Sequence, residues 1–326
     1  MSRSLLSNRR EPRPPRPSGP VSLILALILS ALGGAAVLAQ DPSVRLNGAI
    51  DKLARGEAIA GAIMYDFSLF GARQFATSDL DFIIMDMEHQ ALDFERLQIF
   101  LLAMTDKAAI AKQGNLAVRV PAIVRIPTYG RNLEESIVKQ VLDLGAFGIM
   151  FPAIETREQA LQAVRSARYP PRKGSAHPEP RGLRGNGNMP AAWFWGLSRP
   201  EYTRRADAWP VDPAGELLLM LQVETVKGVR NVDEILSVPG IGVLFVGPND
   251  LSHSLGVEDG APEHEAAIQT VLKACLAHGV PCAITVNASN VVGRLRQGFK
   301  VVSLPSGGLQ VQMDNALRAA RSELTR

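Results

Sequence analysis

Eight short apolar runs, separated by stretches with helical periodicity, constrain this chain more than any other feature. They are "GAIMY" (61–65), "FIIMD" (82–86), "AIVRI" (122–126), "FGIMFP" (147–152), "LLLMLQVE" (217–224), "VLFVG" (243–247), "CAITV" (282–286) and "KVVSL" (300–304). Their hydrophobicity is continuous rather than alternating. That pattern marks strands covered on both faces, and hence a parallel sheet with helices outside it. The intervening segments carry the helix pattern: Asn132 to Leu144 puts Ile137, Val141 and Leu144 on one stripe and pairs Glu135 with Lys139. Eight strand-then-helix units in about 250 residues predict an α/β fold of the (β/α)8, or TIM barrel, type. No GxGxxG turn follows any of the runs, which argues against an open dinucleotide-binding sheet.

Two regions stand outside this rhythm. The first 39 residues combine an Arg/Pro-rich head, "MSRSLLSNRREPRPPRPSGP", with the apolar run "VSLILALILSALGGAAVLA". This reads as a signal peptide cleaved before Gln40. The alternative is an uncleaved membrane anchor, which Gly33 and Gly34 disfavour because glycine weakens a helix meant to persist. Arg9-Arg10 lacks the apolar residues that a twin-arginine signal places directly after the pair. The expectation is an exported protein, periplasmic or anchored, that touches a membrane only through this segment. One barrel then occupies residues 40–326.

The leader holds five arginines and one glutamate, so the sequence pI of about 9.0 belongs to it. Without it, acids and bases nearly balance, and no basic face points to nucleic acid. The second irregular region, Tyr169 to Gly215, is rich in Pro, Gly, Arg and Trp; a connection this long in a compact domain predicts an ordered lid. Cys275 and Cys282 are too few for a disulfide framework and are expected as two buried thiols.

In a barrel of this type the strands end on one rim, where catalytic groups sit. The second run ends in Asp86, Glu88 and His89, the third carries Arg125, the fifth ends in Glu224, and the sixth leads into "GPNDLS" with Asp250. Ionisable groups at such positions are costly to bury unless paired or bound to a metal. Glu224 and Asp250, from adjacent strands, present two carboxylates suited to one hard divalent cation, Mg2+ or Mn2+. A base for a hydroxyl proton is at hand in His89, and Arg125 offers permanent positive charge to a developing oxyanion. His177, His253, His264 and His278 show no metal-site spacing, and His253 is expected on the surface.

These residues also carry a resemblance. "DMEH" (86–89), "VRIP" (124–127), "LDLGAFGIMFP" (142–152), "YPP" (169–171), "RGLRGNG" (181–187), "LQVET" (221–225) and "VGPNDLS" (246–252) together resemble the HpcH/HpaI family of metal-dependent aldolases. The resemblance implies a barrel of the phosphoenolpyruvate/pyruvate type, usually a hexamer, that cleaves or forms 4-hydroxy-2-oxo acids through a pyruvate enolate. It implies Glu224 and Asp250 as ligands of Mg2+, Mn2+ or Co2+, Arg125 on the substrate's oxo oxygen, and His89 as base. Amides near Pro248 and Asn249 would hold the pyruvate carboxylate. It also implies Asp143 as the partner orienting His89; since the helix pattern puts Asp143 at the end opposite the rim, it is expected either to serve a neighbouring subunit or to act only structurally. The segments "KGSAHPEP" and "WPVDPAGE" lengthen the 169–215 region relative to the family and are expected to alter the lid. Two other functions compete: a citrate-lyase-β-like lyase of CoA thioesters, and a non-catalytic exported binder of oxo acids.

Overall fold

The computed structural model describes residues 44–128, 133, 135–304 and 310–324, so the leader expected at 1–39 lies outside the described residues. All eight expected strands form, with ends shifted by a residue or two: β1 (Ile59–Met64), β2 (Phe82–Asp86), β3 (Ala122–Arg125), β4 (Gly148–Phe151), β6 (Leu217–Val223), β7 (Val243–Val246), β8 (Cys282–Thr285) and β9 (Val301–Leu304). A ninth, β5 (Ala208–Trp209), lies in the long irregular segment and pairs with the start of β6.

Every pairing is parallel. The order β4-β3-β2-β1-β9-β8-β7-β6, closed by pairing of β4 with β6, makes an eight-stranded barrel. Nearly every strand residue is buried, which is why the runs show no polar alternation.

Two glycines permit the close packing inside. A Cβ on Gly61 would stand 2.5 Å from the ring of Phe82, which fills the barrel at that level. At the closing seam, a Cβ on Gly148 would fall 2.1 Å from the Leu218 carbonyl oxygen. Full burial of a side chain such as Phe82 is worth about 1.5–3 kcal/mol.

Helices surround the ring with regular end signals. Thr156 and Gln159 form a reciprocal capping box at the start of Arg157–Ala167, and Gly279, at φ 66°, ends Pro262–His278 in the left-handed region. The helix expected over 132–144 is seen as Glu135–Asp143, burying Ile137, Val138, Val141 and Leu142. Cys275 and Cys282 are both buried and unpaired. Among the described residues, no helix is long and apolar enough to cross a membrane.

The segment 169–215 corrects the expectation of a lid over this chain's own rim. It follows a helix and precedes a strand, so topology puts it where strands begin. There it is well packed: Trp195 stacks on Phe147 with ring centroids 4.3 Å apart, and its indole N–H donates to the Gly145 carbonyl at 2.8 Å. Buried Arg168 forks onto Asp207 at 2.6 and 2.9 Å and also donates to the carbonyls of Pro180 and His177. Beside it, the carboxylate of Glu216 accepts from the backbone amides of Leu46 and Asn47, both at 2.9 Å, and from Arg205 at 2.7 Å.

Candidate active site

The mouth of the barrel is a cavity of about 410 Å3, lined among others by His89, Arg125, Gln222, Asn249 and Asp250. A second, apolar-walled cavity of about 120 Å3 lies among Leu101, Met104, Ile110, Phe147 and Trp195 at the opposite end. Of the strand-end residues picked out from sequence, His89, Arg125 and Asp250 line the first, and Asp86, Glu88 and Glu224 lie against its lining residues Arg125 and Gly247.

Strand register sets the first contact. Asp86 and Arg125 are directly paired across β2 and β3, and the guanidinium forks onto the carboxylate, Nε to Oδ1 at 3.0 Å and Nη2 to Oδ2 at 2.5 Å. Burial alone would raise the Asp86 carboxyl, but the hydrogen bonds and charge of Arg125, with the Glu88 amide, hold it below its ordinary range. Asp86 also accepts from the backbone N–H of Glu88 at 2.9 Å and of His89 at 3.3 Å, so the turn after β2 folds back onto its last residue.

That turn places His89 Nδ1 3.0 Å from Asp86 Oδ2 and 2.9 Å from Arg125 Nη2. The carboxylate contact requires Nδ1 to donate, and the guanidinium contact requires it to accept. With Nδ1–H on Asp86, Nε2 carries the free lone pair on a ring whose side chain is 56% exposed. In this chain Asp86 is therefore the carboxylate beside His89. Asp143 is held elsewhere, by Arg184 Nη2 at 2.8 Å and by Lys139.

Glu224 directly follows β6 and is 6% exposed. The Ala153 amide donates to its Oε1 at 2.8 Å and Gln222 Nε2 donates to Oε2. Ala153 has a φ of 55°, rare for a residue with a Cβ; the turn after β4 thus accepts strain while aiming its N–H at the carboxyl. Burial pushes Glu224 up to about 8, against the pull of the Ala153 amide, and the nearby Asp250 and Glu88 push the same way. Gly247 leaves the room required: a Cβ there would lie 2.5 Å from Glu224 Oε2.

Asp250 stands in the first turn of the helix Pro248–Leu255. Pro248 has no N–H, and the Gly247 amide is spent on the Val223 carbonyl, so the amides free to meet an anion at this helix start are those of Asn249 and Asp250. His253 is exposed on the same helix, as expected.

Two groupings of ligand atoms could hold a cation. Asp86, Glu88 and His89 bring one atom each within 4.8 Å of one another, but Arg125 already occupies Asp86 and approaches His89, and a cation there would face the guanidinium. Glu224 with Asp250 fits a divalent ion better. Glu224 is a buried carboxyl whose nearest cation is committed to Asp86, and each of its oxygens keeps a lone pair beyond the single hydrogen bond it accepts.

Sequence reasoning had not assigned Glu88, Gln222, Ala153 or the Asp86–His89 contact. Glu88 accepts from Thr128 at 3.2 Å, lies 3.5 Å from Arg125 Nη1, and is raised by burial. The three-residue spacing within "DMEH" was the available signal for the Asp86–His89 pair.

Comparison with known proteins bears on the family and the fold. The model of the HpcH/HpaI aldolase/citrate lyase family matches residues 69–312. A 5-keto-4-deoxy-D-glucarate aldolase of Citrobacter koseri is 32% identical over 206 residues, 63% of this chain and 68% of that protein. Among solved structures, an HpcH/HpaI aldolase/citrate lyase family protein of Burkholderia cenocepacia is 30% identical, with TM-score 0.68, over 86% of this chain and 98% of that one. An HpcH/HpaI aldolase of Desulfitobacterium hafniense is 25% identical, with TM-score 0.64, over 83% and 95%. With the family model matching well over half of its length, this chain belongs to the HpcH/HpaI aldolase/citrate lyase family.

Proposed function

We propose that this protein is a divalent-metal-dependent (class II) aldolase that cleaves or forms 4-hydroxy-2-oxo acids, giving pyruvate and an aldehyde through a pyruvate enolate. The observation that carries the reading is the buried Glu224 carboxyl, its Oε2 packed against Gly247 at a cavity that Asp250 also lines and whose guanidinium is already paired with Asp86. Names of the similar proteins support the same class of reaction.

A divalent ion held by Glu224 and Asp250, Mg2+ or Mn2+ by the all-oxygen donor set with Co2+ also suitable, would supply Lewis acidity to the substrate's 2-oxo group. The rest falls to the chain itself. Amides of Asn249 and Asp250 bind the substrate carboxylate at a helix N-terminus. Arg125 keeps Nη1 outside its fork with Asp86 and sets fixed positive charge beside the oxo oxygen. His89, oriented by Asp86, takes the 4-hydroxyl proton at Nε2; the C3–C4 bond breaks, the aldehyde C=O forms, and the electron pair passes into the pyruvate enolate.

The test is pyruvate release by residues 40–326 from a panel of 4-hydroxy-2-oxo acids, with Mn2+, with Mg2+ and with EDTA. Metal-dependent release, much reduced in His89→Ala, is expected. Binding of pyruvate and metal with no release from any substrate would discard the aldolase for a binder or a thioester lyase.

A pH dependence of metal binding follows from Glu224. Its carboxyl must lose its proton to act as a ligand, so Mn2+ affinity is expected to fall about tenfold per pH unit below about 8 and to level off above it. Calorimetry in buffers of different ionisation enthalpy reads the proton released, and an affinity flat between pH 6 and 8 would exclude Glu224 as a ligand.

Export through a cleaved leader belongs to the proposal on the strength of residues 1–39. The intact mass of the protein from its native host is expected to match a chain starting at Gln40; a mass that includes residues 1–39 would favour the anchor.

A further inference from the structure

Among the described residues, the charged side chains at the mouth cavity and in contact with it come from one arc of strand ends. Asp86 and Glu88 come from β2 and its turn, Arg125 from β3, Glu224 from the end of β6 and Asp250 from the turn after β7. The arc formed by β8, β9 and β1 differs. Side chains alternate along a strand, so the β1 residues sharing the inward face with Gly61 are Ile63 and, just past its end, Tyr65. Both line the mouth cavity, as do Phe245 of β7 and Thr285 of β8.

Among the described residues, β8, β9 and β1 give this cavity no charged side chain. The first charge in the loop after β1 is Asp66, negative and hydrogen-bonded to Ser68 at 2.8 Å. Four carboxyl groups on the charged arc face a single guanidinium, which forks onto Asp86.

This asymmetry bears on the part of the substrate beyond C4. The oxo-acid end needs the charged arc, and the 4-hydroxyl needs His89. The strand next to β2 on the uncharged side is β1, so the remaining carbon chain leaves past Ile63 and Tyr65, the latter 42% exposed at the mouth.

Resting on the aldolase reading above, we infer that the aldehyde half of the substrate is uncharged and largely apolar, and that Tyr65 and Ile63 set this preference. The phenol ring and the branched side chain offer C–H surface to an alkyl or aryl chain. A second carboxylate would lose water against them without meeting a cation among the described residues of that arc. In the synthetic direction, the enolate electron pair forms the C3–C4 bond and the aldehyde oxygen takes the proton held by His89.

Butanal and succinic semialdehyde have the same four-carbon length and differ by one terminal carboxylate. In condensation with pyruvate, kcat/KM is expected to favour butanal by about 100-fold or more. Tyr65→Arg and Tyr65→Lys, each adding a cation at a half-exposed position, are expected to shrink that ratio at least about tenfold by pairing the carboxylate. Equal use of the two aldehydes by the unmodified protein, a preference for succinic semialdehyde, or a ratio unmoved in both Tyr65 variants would overturn the inference. Enolate formation is read separately, as Mn2+-dependent exchange of the pyruvate methyl hydrogens in D2O without aldehyde. Exchange with no aldehyde preference sinks the inference and leaves the aldolase standing; no exchange sinks the aldolase reading and this inference with it.

Discussion

Glu224→Gln is expected to lower metal-dependent kcat/KM for pyruvate release by about 1000-fold or more, the loss of some 4 kcal/mol of transition-state stabilisation. The substitution keeps shape and most hydrogen bonding. A glutamine carbonyl oxygen can still accept from the Ala153 amide, and the new NH2 group can face Gln222 if that amide turns over, since Gln222 Oε1 is buried without a partner.

Stability should move the other way. A carboxyl raised from 4.5 to about 8 in the folded protein binds its proton more tightly there than in the unfolded chain. Its stabilising contribution is therefore complete below about pH 4.5 and is lost as pH rises through about 8, a change on the order of 3 to 5 kcal/mol. Metal-free Glu224→Gln lacks that loss. Urea melts at pH 5.5 and 8.5 should show the unmodified protein weakening more across the interval than the variant. A variant with full activity, or with the same pH slope as the parent, would remove Glu224 from its assigned place.

Asp86→Asn is the second large effect, and it combines both kinds of damage. The change leaves Arg125 buried beside a neutral amide, and breaking a buried ion pair from one side costs about 3–5 kcal/mol. It also takes away the acceptor that holds His89 Nδ1–H, so the imidazole loses the tautomer and orientation its role as base requires, and kcat is expected to fall by about 100- to 10000-fold. Measuring the melt with the rate separates the two, because a variant still folded at assay temperature shows the catalytic loss alone. Should Asp86→Asn melt like the parent and keep its rate, the Asp86–Arg125–His89 web would be ornamental.

Much of this architecture was readable in the chain because a parallel barrel buries both faces of every strand. "FIIMD" and "LLLMLQVE" had to be continuous apolar runs, and polar residues could enter only where the strands ended. For the same reason Asp86, Arg125, Glu224 and Asp250 could be placed on one rim before any contact was known. What could not be read was which acid meets which base. Within the chain the carboxylate that meets His89 is Asp86, put there by a three-residue turn and by strand register; turn geometry of that kind leaves no periodic trace. The segment 169–215 was opaque for a related reason. Its order comes from distant partners, such as the Phe147 ring under Trp195 and the Arg168 fork on Asp207, rather than from any repeat of its own.

The seam between β4 and β6 has a thermodynamic consequence. The chain closes it by way of the whole stretch from Pro152 to Glu216, far longer than a usual barrel connection. Loop-closure entropy grows only with the logarithm of length, so each doubling of the connection costs only about 0.6 kcal/mol more. One aromatic stack and one buried guanidinium fork recover much of that. Extra residues are thus inexpensive at the exposed turn around Lys173 and Gly174, and the seam is where the barrel can lengthen without disturbing the chemistry at its mouth.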